Sequence, residues 1–315
     1  MSSQDGKSEA YEMIDRMTTI HPRPQKRNVT IQAYEKLYQE SRGSNPISFD
    51  IAEALVKRNP AKIGMFTGAF SATMPHGEND GPIGAVVLAA ALSRLGHTVV
   101  FPIEDLIIPG LKRLLSYFKL DCEIIPIPIE GQMDVGKIAD TLDVAIAIER
   151  GGANTAGILH SGITAKDISK TRAKVDGFFD RLHDRGKLTL GIGDGGNEIG
   201  FGKIFSVAQE VFPYGKICNC PCKQGNIAKT ATTLFLPATV SNWGGYAIAA
   251  GIAIRAQNPS LALTPEGERD LLKLCADVDI RDGVAGAPSF SVDGIPGECS
   301  MAMVQILKTI VDGVV

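Results

Sequence analysis

The sequence has 315 residues, 44% hydrophobic and 21% charged, with a net charge of −3. That length can bury the core of one large α/β domain or two small ones, and the slight acidity offers no basic footprint for nucleic acid or an anionic membrane. Aromatic residues are only 6%, with one tryptophan, so base-stacking platforms are not expected. No apolar run approaches the ~20 residues of a membrane span. The opening stretch MSSQDGKSEAYEMIDRM has no apolar core for secretion and carries acids that a mitochondrial leader avoids, so a cytoplasmic protein is the expectation.

In chain order, residues 1–60 read as helical. Tyr11, Met13, Ile14 and Met17 fall at helical spacing, and His21-Pro22-Arg23-Pro24 breaks the pattern. Ile31, Tyr34, Leu37 and Tyr38 resume it, and Ser48 to Arg58 predicts a third helix. This is a helical N-terminal extension, expected to pack on a main domain over 61–315 and to carry no chemistry. From Lys62 the pattern alternates. Strands are predicted at 63–68, 97–102, 122–129, 142–149, 188–192 and 233–239. Helices are predicted at 82–95, 106–119, within 166–185, from 199 toward 212, and at 243–257, 266–276 and 301–311. Pro126 and Pro128 demote 122–129 to an edge strand. Strands separated by helices, with near-continuous apolar runs such as VAIAI, give an α/β fold: three α/β/α layers around a mostly parallel sheet.

In such sheets ligands sit beyond the carboxyl ends of the strands, so the residues after each strand carry the functional argument. Thr67-Gly68 and then Glu78-Asn79-Asp80-Gly81 follow the first strand; Glu149-Arg150 follows the fourth. Gly193-Asp194-Gly195-Gly196-Asn197-Glu198 follows the fifth, and Ser241-Asn242-Trp243 the last. Four strand ends bring acids, amides or hydroxyls beside glycine. The stretch LTLGIGDGGNEIGFG at 188–202 is the centre: four glycines around Asp194 leave room for a ligand against the backbone, and Asn197 is expected to cap a following helix. Asp80 serves equally as a cap for the helix beginning at Pro82 or as a ligand contact. Asn242 or Ser241 is expected to cap the last of these helices, and Trp243 reads as core before ligand wall. His76 and His160, in loops, are placed so that they could face the site.

Cys218, Cys220 and Cys222 alternate along one loop. Alternate thiolates can share a soft metal, but a closed site needs about four ligands and no matching Cys or His pair is visible. They therefore read as a loop of small residues around a buried Cys218. The pattern GIGDGGNEIG lacks the dinucleotide glycine spacing, and no P-loop, serine elbow or zinc-protease helix occurs.

Taken together, GIGDGGNEIGFG at 191–202, TGAF at 67–70 with ENDGPIGA at 78–85, ER at 149–150 with KDIS at 166–169, SNWGGYA at 241–247 and SVDGIP at 291–296 resemble the C-terminal domain of D-glutamate cyclases, over about residues 45 to 300 and in the same order. Asn79 and Ile83 depart from the pattern, standing where Thr and Pro are expected. In the two-part animal enzymes this domain follows another, unrelated one, and the chain reads as a stand-alone form. The resemblance implies a lyase converting D-glutamate to 5-oxo-D-proline with loss of water.

That reaction needs a base for the amine, a proton donor or cation at the γ-carboxyl, and an anion site for the α-carboxylate. Glu198 or Asp194 is the expected base. The N–H groups of 195–198, with Asn197, are expected to hold developing negative charge. Arg150 or Lys166 is expected to hold the α-carboxylate. Asp80 or Glu149 would donate a proton or, with Asp194, help to bind Mg²⁺ or Mn²⁺. Thr67, Gly68, Glu78, Gly81, Gly193, Gly195, Gly196, Ser241, Asn242 and Trp243 complete the expected substrate contacts. The expected partner is a small acidic molecule, and a homo-oligomer is left open. The rival readings are a non-catalytic binding domain for a small anionic metabolite and a lyase or hydrolase on another substrate.

Overall fold

A computed structural model describes residues 3–22, 29–68, 74–130 and 133–315. Arg23-Pro24 of the expected break and Ala69-Phe70 of the TGAF motif lie outside the described residues. Three helices come first, α1 (Ser3–Thr19), α2 (Ile31–Ser41) and α3 (Ile47–Val56). The alternating part follows: β1 (Lys62–Thr67), α4 (Pro82–Arg94), β2 (Thr98–Ile103), α5 (Ile108–Tyr117), β3 (Glu123–Pro126), α6 (Val135–Ala139), β4 (Val144–Ile148), α7 (Asp176–Asp184), β5 (Leu188–Gly193), α8 (Phe205–Val211), β6 (Leu234–Pro237) and α9 (Ser241–Arg255). The chain closes with α10 (Pro265–Asp277), the hairpin strands β7 (Ser291–Val292) and β8 (Ile295–Pro296), and α11 (Gly297–Asp312).

The six-stranded sheet runs β3-β2-β1-β4-β5-β6, with every pairing parallel. β3 is at the edge, where its prolines cost no ladder hydrogen bond. The order reverses between β1 and β4, which makes that gap the switch point at which α/β sheets receive ligands. The registers Thr67↔Ile148, Ile148↔Ile192 and Gly193↔Pro237 set the carboxyl ends of β1, β4, β5 and β6 level, as one rim.

Alternation along the strands splits the core into two layers. Ile146 and Ile148 join Ile63 and Met65 under α4, α9 and α3. Ala145 and Ala147 join Phe66 on the other face, under Phe178 and Phe179 of α7, whose rings lie 5.0 and 5.2 Å from that of Phe66. Burying each of those rings contributes about 2 kcal/mol. α4 and α9 touch backbone to backbone, since a Cβ on Gly84 would lie 2.9 Å from the Asn242 Cα and one on Gly245 2.9 Å from the Gly84 Cα. The N-terminal helices belong to the same core, with Ile14, Ile51 and Leu55 fully buried in it. The Tyr11 hydroxyl donates to the Gly251 carbonyl at 3.1 Å.

The structure departs from expectation in three places. No helix starts at Glu198: residues 198–201 form bridges with Gly151 and Ala231, a 3-10 turn covers Gly202–Ile204, and α8 begins only at Phe205. The Gly200 N–H donates to the Thr230 carbonyl at 2.9 Å, and this extended pairing outcompetes helix in a glycine-rich segment. The short α6 and the β7–β8 hairpin carry too few apolar residues to show periodicity. No described helix is long and apolar enough to cross a membrane.

Candidate active site

The level rim brings residues that follow β1, β4 and β5 into one cavity of about 410 Å³, while Ser241 after β6 hydrogen-bonds to two of its acids. Its wall holds Glu78, Asp80, Glu149, Asp194, Glu198 and Asp293, with Arg172 the single arginine or lysine of the described lining. Oxygen atoms of Asp80, Glu149 and Asp194 all lie within 4.8 Å of one another. Glu149 ends β4 with φ +51, a left-handed conformation that a non-glycine residue adopts at a cost. The strain turns its carboxylate into the gap over the switch point, where the Ser241 hydroxyl donates to it at 2.5 Å. Gly81 makes the matching close approach from the other side. Its φ is +94, and a Cβ there would lie 2.6 Å from that of Glu149.

Asp80 and Asn242 are held by an exchange of caps. Asp80 accepts from the backbone N–H groups of Ser241 at 3.1 Å and Asn242 at 2.7 Å, the first residues of α9. The Asn242 Oδ1 accepts from Gly81 and Gly84 at the start of α4, at 2.9 and 2.7 Å. Each residue thus caps the other's helix, where sequence proximity had led us to expect its own, and Asp80 in addition accepts from the Gly81 N–H before α4 at 3.0 Å. Asp80 gains a fixed position and the partial positive end of α9.

Burial pushes the Asp80 carboxyl well above the usual carboxylate range, and the charges of Asp194 and Asp293 push it further. Burial does the same to Glu149, reinforced by Glu198, Asp194 and Asp80. Carboxylates this close cannot all ionise without a cation among them, so the cluster stores protons or attracts positive charge. Burial pulls the Arg172 guanidinium down, with the acidic charge of Glu78 opposing. On lining residues, the buried atoms Arg172 Nε, Asn197 Oδ1 and Asn226 Oδ1 find no hydrogen-bond partner among the described residues. These atoms belong to residues on the wall of a cavity large enough for a small polar molecule.

Of the residues expected from sequence, Glu78, Asp80, Glu149, Asp194, Gly195, Asn197 and Glu198 line this cavity. Others stand behind it. Arg150 is not an anion site: its guanidinium pairs with buried Glu104 at 2.8 and 2.7 Å and donates to the Thr67 and Ala173 carbonyls. Burial raises the Glu104 carboxyl, but the Arg150 charge and hydrogen bonds more than offset this, leaving Glu104 below its ordinary value. Lys166 is exposed and outside the lining. Arg172 is instead the cation on the described lining; it sits in a stretch without helical or strand period, so nothing in the sequence marked it. Trp243 is core, its indole N–H donating to the Ser300 hydroxyl at 2.9 Å. Thr67, Gly68, Gly81, Gly193, Gly196, Ser241 and Asn242 support the rim without lining the cavity.

Asn197 is not a helix cap. Its carbonyl and the Ile199 N–H bridge to Gly152 and Arg150, and its side-chain amide donates to the His160 carbonyl at 3.0 Å. The Gly195 N–H is already taken by the Glu198 carboxylate at 3.2 and 3.1 Å, so it is not the expected anion donor. Asp293, within SVDGIP, also lines the cavity. The N-terminal helices contribute as well: the Tyr34 hydroxyl donates to the Asp194 carbonyl at 2.9 Å, and Val29 lies on the wall.

His76 is exposed and outside the lining. His160 turns away toward the cysteine loop, its Nε2 3.2 Å from the Cys220 sulfur. The sulfurs of Cys218, Cys220 and Cys222 lie 3.1–3.4 Å apart, all as free cysteines. The missing fourth partner is thus a histidine 60 residues before Cys220, beyond the reach of a spacing argument.

A family model described as D-glutamate cyclase-like, C-terminal, matches residues 30–308. The chain belongs to that family. The human mitochondrial D-glutamate cyclase is 26% identical over 281 residues, an alignment covering 76% of this chain and 43% of that protein. The chain therefore spans less than half the length of that relative. The family match contains the acidic cavity except Val29, and also the cysteine–histidine cluster.

Proposed function

We propose that the chain is a D-glutamate cyclase-like lyase whose reaction takes place in the acidic cavity at the β1–β4 switch point. One observation carries this: three strand-end carboxylates within 4.8 Å of one another, two of them with raised proton affinity, facing a single arginine. In the proposed reaction the amine of D-glutamate attacks its own γ-carboxyl carbon. A C–N bond forms, a C–O bond breaks, and the lost oxygen leaves as water.

Arg172, the cation on the wall, meets the α-carboxylate. The amides of Asn197 and Asn226, both on the wall, are assigned to the substrate ammonium. Asp194 or Glu198, ionised, takes the amine proton. Protonated Glu149 or Asp80 delivers a proton to the departing oxygen, the role for which a raised carboxyl affinity suits it. The three close oxygens also fit a hard divalent cation, Mg²⁺ or Mn²⁺, which when bound would polarise the γ-carboxyl.

Incubating the purified chain with D- or L-glutamate, with and without Mn²⁺ or Mg²⁺, and following 5-oxoproline by chiral chromatography tests the proposal. Product from the D-isomer supports it. Binding of D-glutamate without product under every metal condition would instead make the chain a binding domain for a small acid.

A further inference from the structure

We propose that Cys218, Cys220, Cys222 and His160 hold one zinc ion in a closed, structural site that fastens one wall of the acidic cavity. The four candidate donor atoms all lie within 4.8 Å of one another. Zinc bound at ~2.3 Å to sulfur in a tetrahedron separates its ligands by about 3.8 Å, so sulfurs at 3.1–3.4 Å need only a few tenths of an ångström of expansion. Three thiolates and an imidazole form a recurring structural zinc set, and four protein ligands leave no open coordination position for catalysis.

The surroundings are prepared for an ion. The His160 ring contacts the Ile158 carbonyl through Nδ1 at 3.1 Å, which fixes the tautomer with Nε2 bare toward the sulfurs. The Asn154 amide donates to the Cys222 sulfur at 3.5 Å. Asn219 ties the cysteine loop to the histidine segment through the Ala165 and Thr164 carbonyls. Cys218 and Cys220 are buried with Ala165 in a small cluster separate from the main core. Zinc takes each cysteine as its thiolate, so its affinity falls at acidic pH.

The connection from α8 to β6 explains what the ion is for. It runs from Val211 to Leu234 without helix or strand, an uncommon length for a compact domain. Phe212, Pro213, Tyr214 and Asn226 of this connection line the cavity, as do Ser161 and Gly162 beside His160. A metal joining these two segments fixes that wall in addition to the burial of Phe212 and Ile227. This inference does not depend on the reaction proposed above.

Elemental analysis of the protein purified under reducing conditions is the test, and about one zinc per chain is expected. Cys220→Ser should lower the content by about tenfold or more, whereas Asp194→Asn should leave it unchanged, separating this ion from any in the acidic cavity. If the cysteine variant does not fold, titrating wild-type thiols with an organomercurial should release zinc to a chromogenic chelator in step with thiol modification. Hydrogen exchange in 159–165 and 212–226 should rise when zinc is stripped. Zinc-free protein with three reactive thiols, a disulfide among them, or iron in place of zinc would overturn the assignment. Unchanged exchange on stripping would overturn the wall-fastening role.

Discussion

The acidic cavity and the cysteine–histidine cluster both gather side chains of types that can ligate a metal, yet they are built on opposite principles. The acids stand at the ends of rigid strands and are held by helix caps and a strained residue, Glu149. Burial, reinforced by their mutual repulsion, raises proton affinity, which suits them to trade protons or attract cations. The sulfurs sit in a long irregular connection and meet a histidine from a second irregular segment, to which hydrogen bonds from Asn219 and Asn154 also tie it. Hard, mutually repelling oxygens on a stiff frame suit turnover, whereas soft donors on a loose frame suit fastening. The comparison teaches that ligand softness and the stiffness of the supporting backbone, read together, separate a working site from a staple.

Substitutions can break or sharpen that contrast. Glu149→Gln should lower kcat/KM for D-glutamate cyclisation by roughly 10² to 10⁴-fold, the range of a lost general acid, with zinc content unchanged. A parallel loss of zinc would merge the two regions. Arg150→Met should cost about 3–5 kcal/mol of stability by stranding Glu104 in the core, measured by chemical denaturation. A loss of activity with unchanged stability would instead place Arg150 in the reaction.

The acids also predict a pH signature. Asp80 and Glu149 bind protons more tightly folded than unfolded, so their contribution is fully present below the ordinary carboxylate range and is lost as pH rises through the raised values. Mn²⁺ should relieve that loss, stabilising by about 2.7 kcal/mol at a hundredfold excess over its Kd, with a larger melting shift at alkaline than at acidic pH. A pH-independent shift would contradict cation binding at these acids. The smallest expected effect is that of Arg172→Gln, which should raise KM by roughly 10 to 100-fold, the worth of a charge-assisted hydrogen bond, with kcat less affected.

Much of the frame was legible in the sequence because buried parallel strands are apolar throughout and their ends are marked by glycine. β4 and β5 matched VAIAI and LTLGI, and the acids after them met as the strand ends implied. What was illegible depended on contacts between distant residues. Asp80 and Asn242 exchange caps 162 positions apart, so each looked like its own helix's cap. Arg150 looked like a free cation until Glu104, 46 positions earlier, came into contact. Arg172 and His160 lie in irregular segments, where no period predicts direction. The expected helix after Asn197 failed because residues 198–201 pair with other chain segments instead.

The rate of 5-oxo-D-proline formation by the wild-type chain and by Asp194→Asn, at matched stability and zinc content, bears most directly on the acidic cavity as the reaction centre. The account predicts measurable turnover by the wild type and at least a ~10²-fold loss in the variant. Equal rates in the two proteins would contradict it.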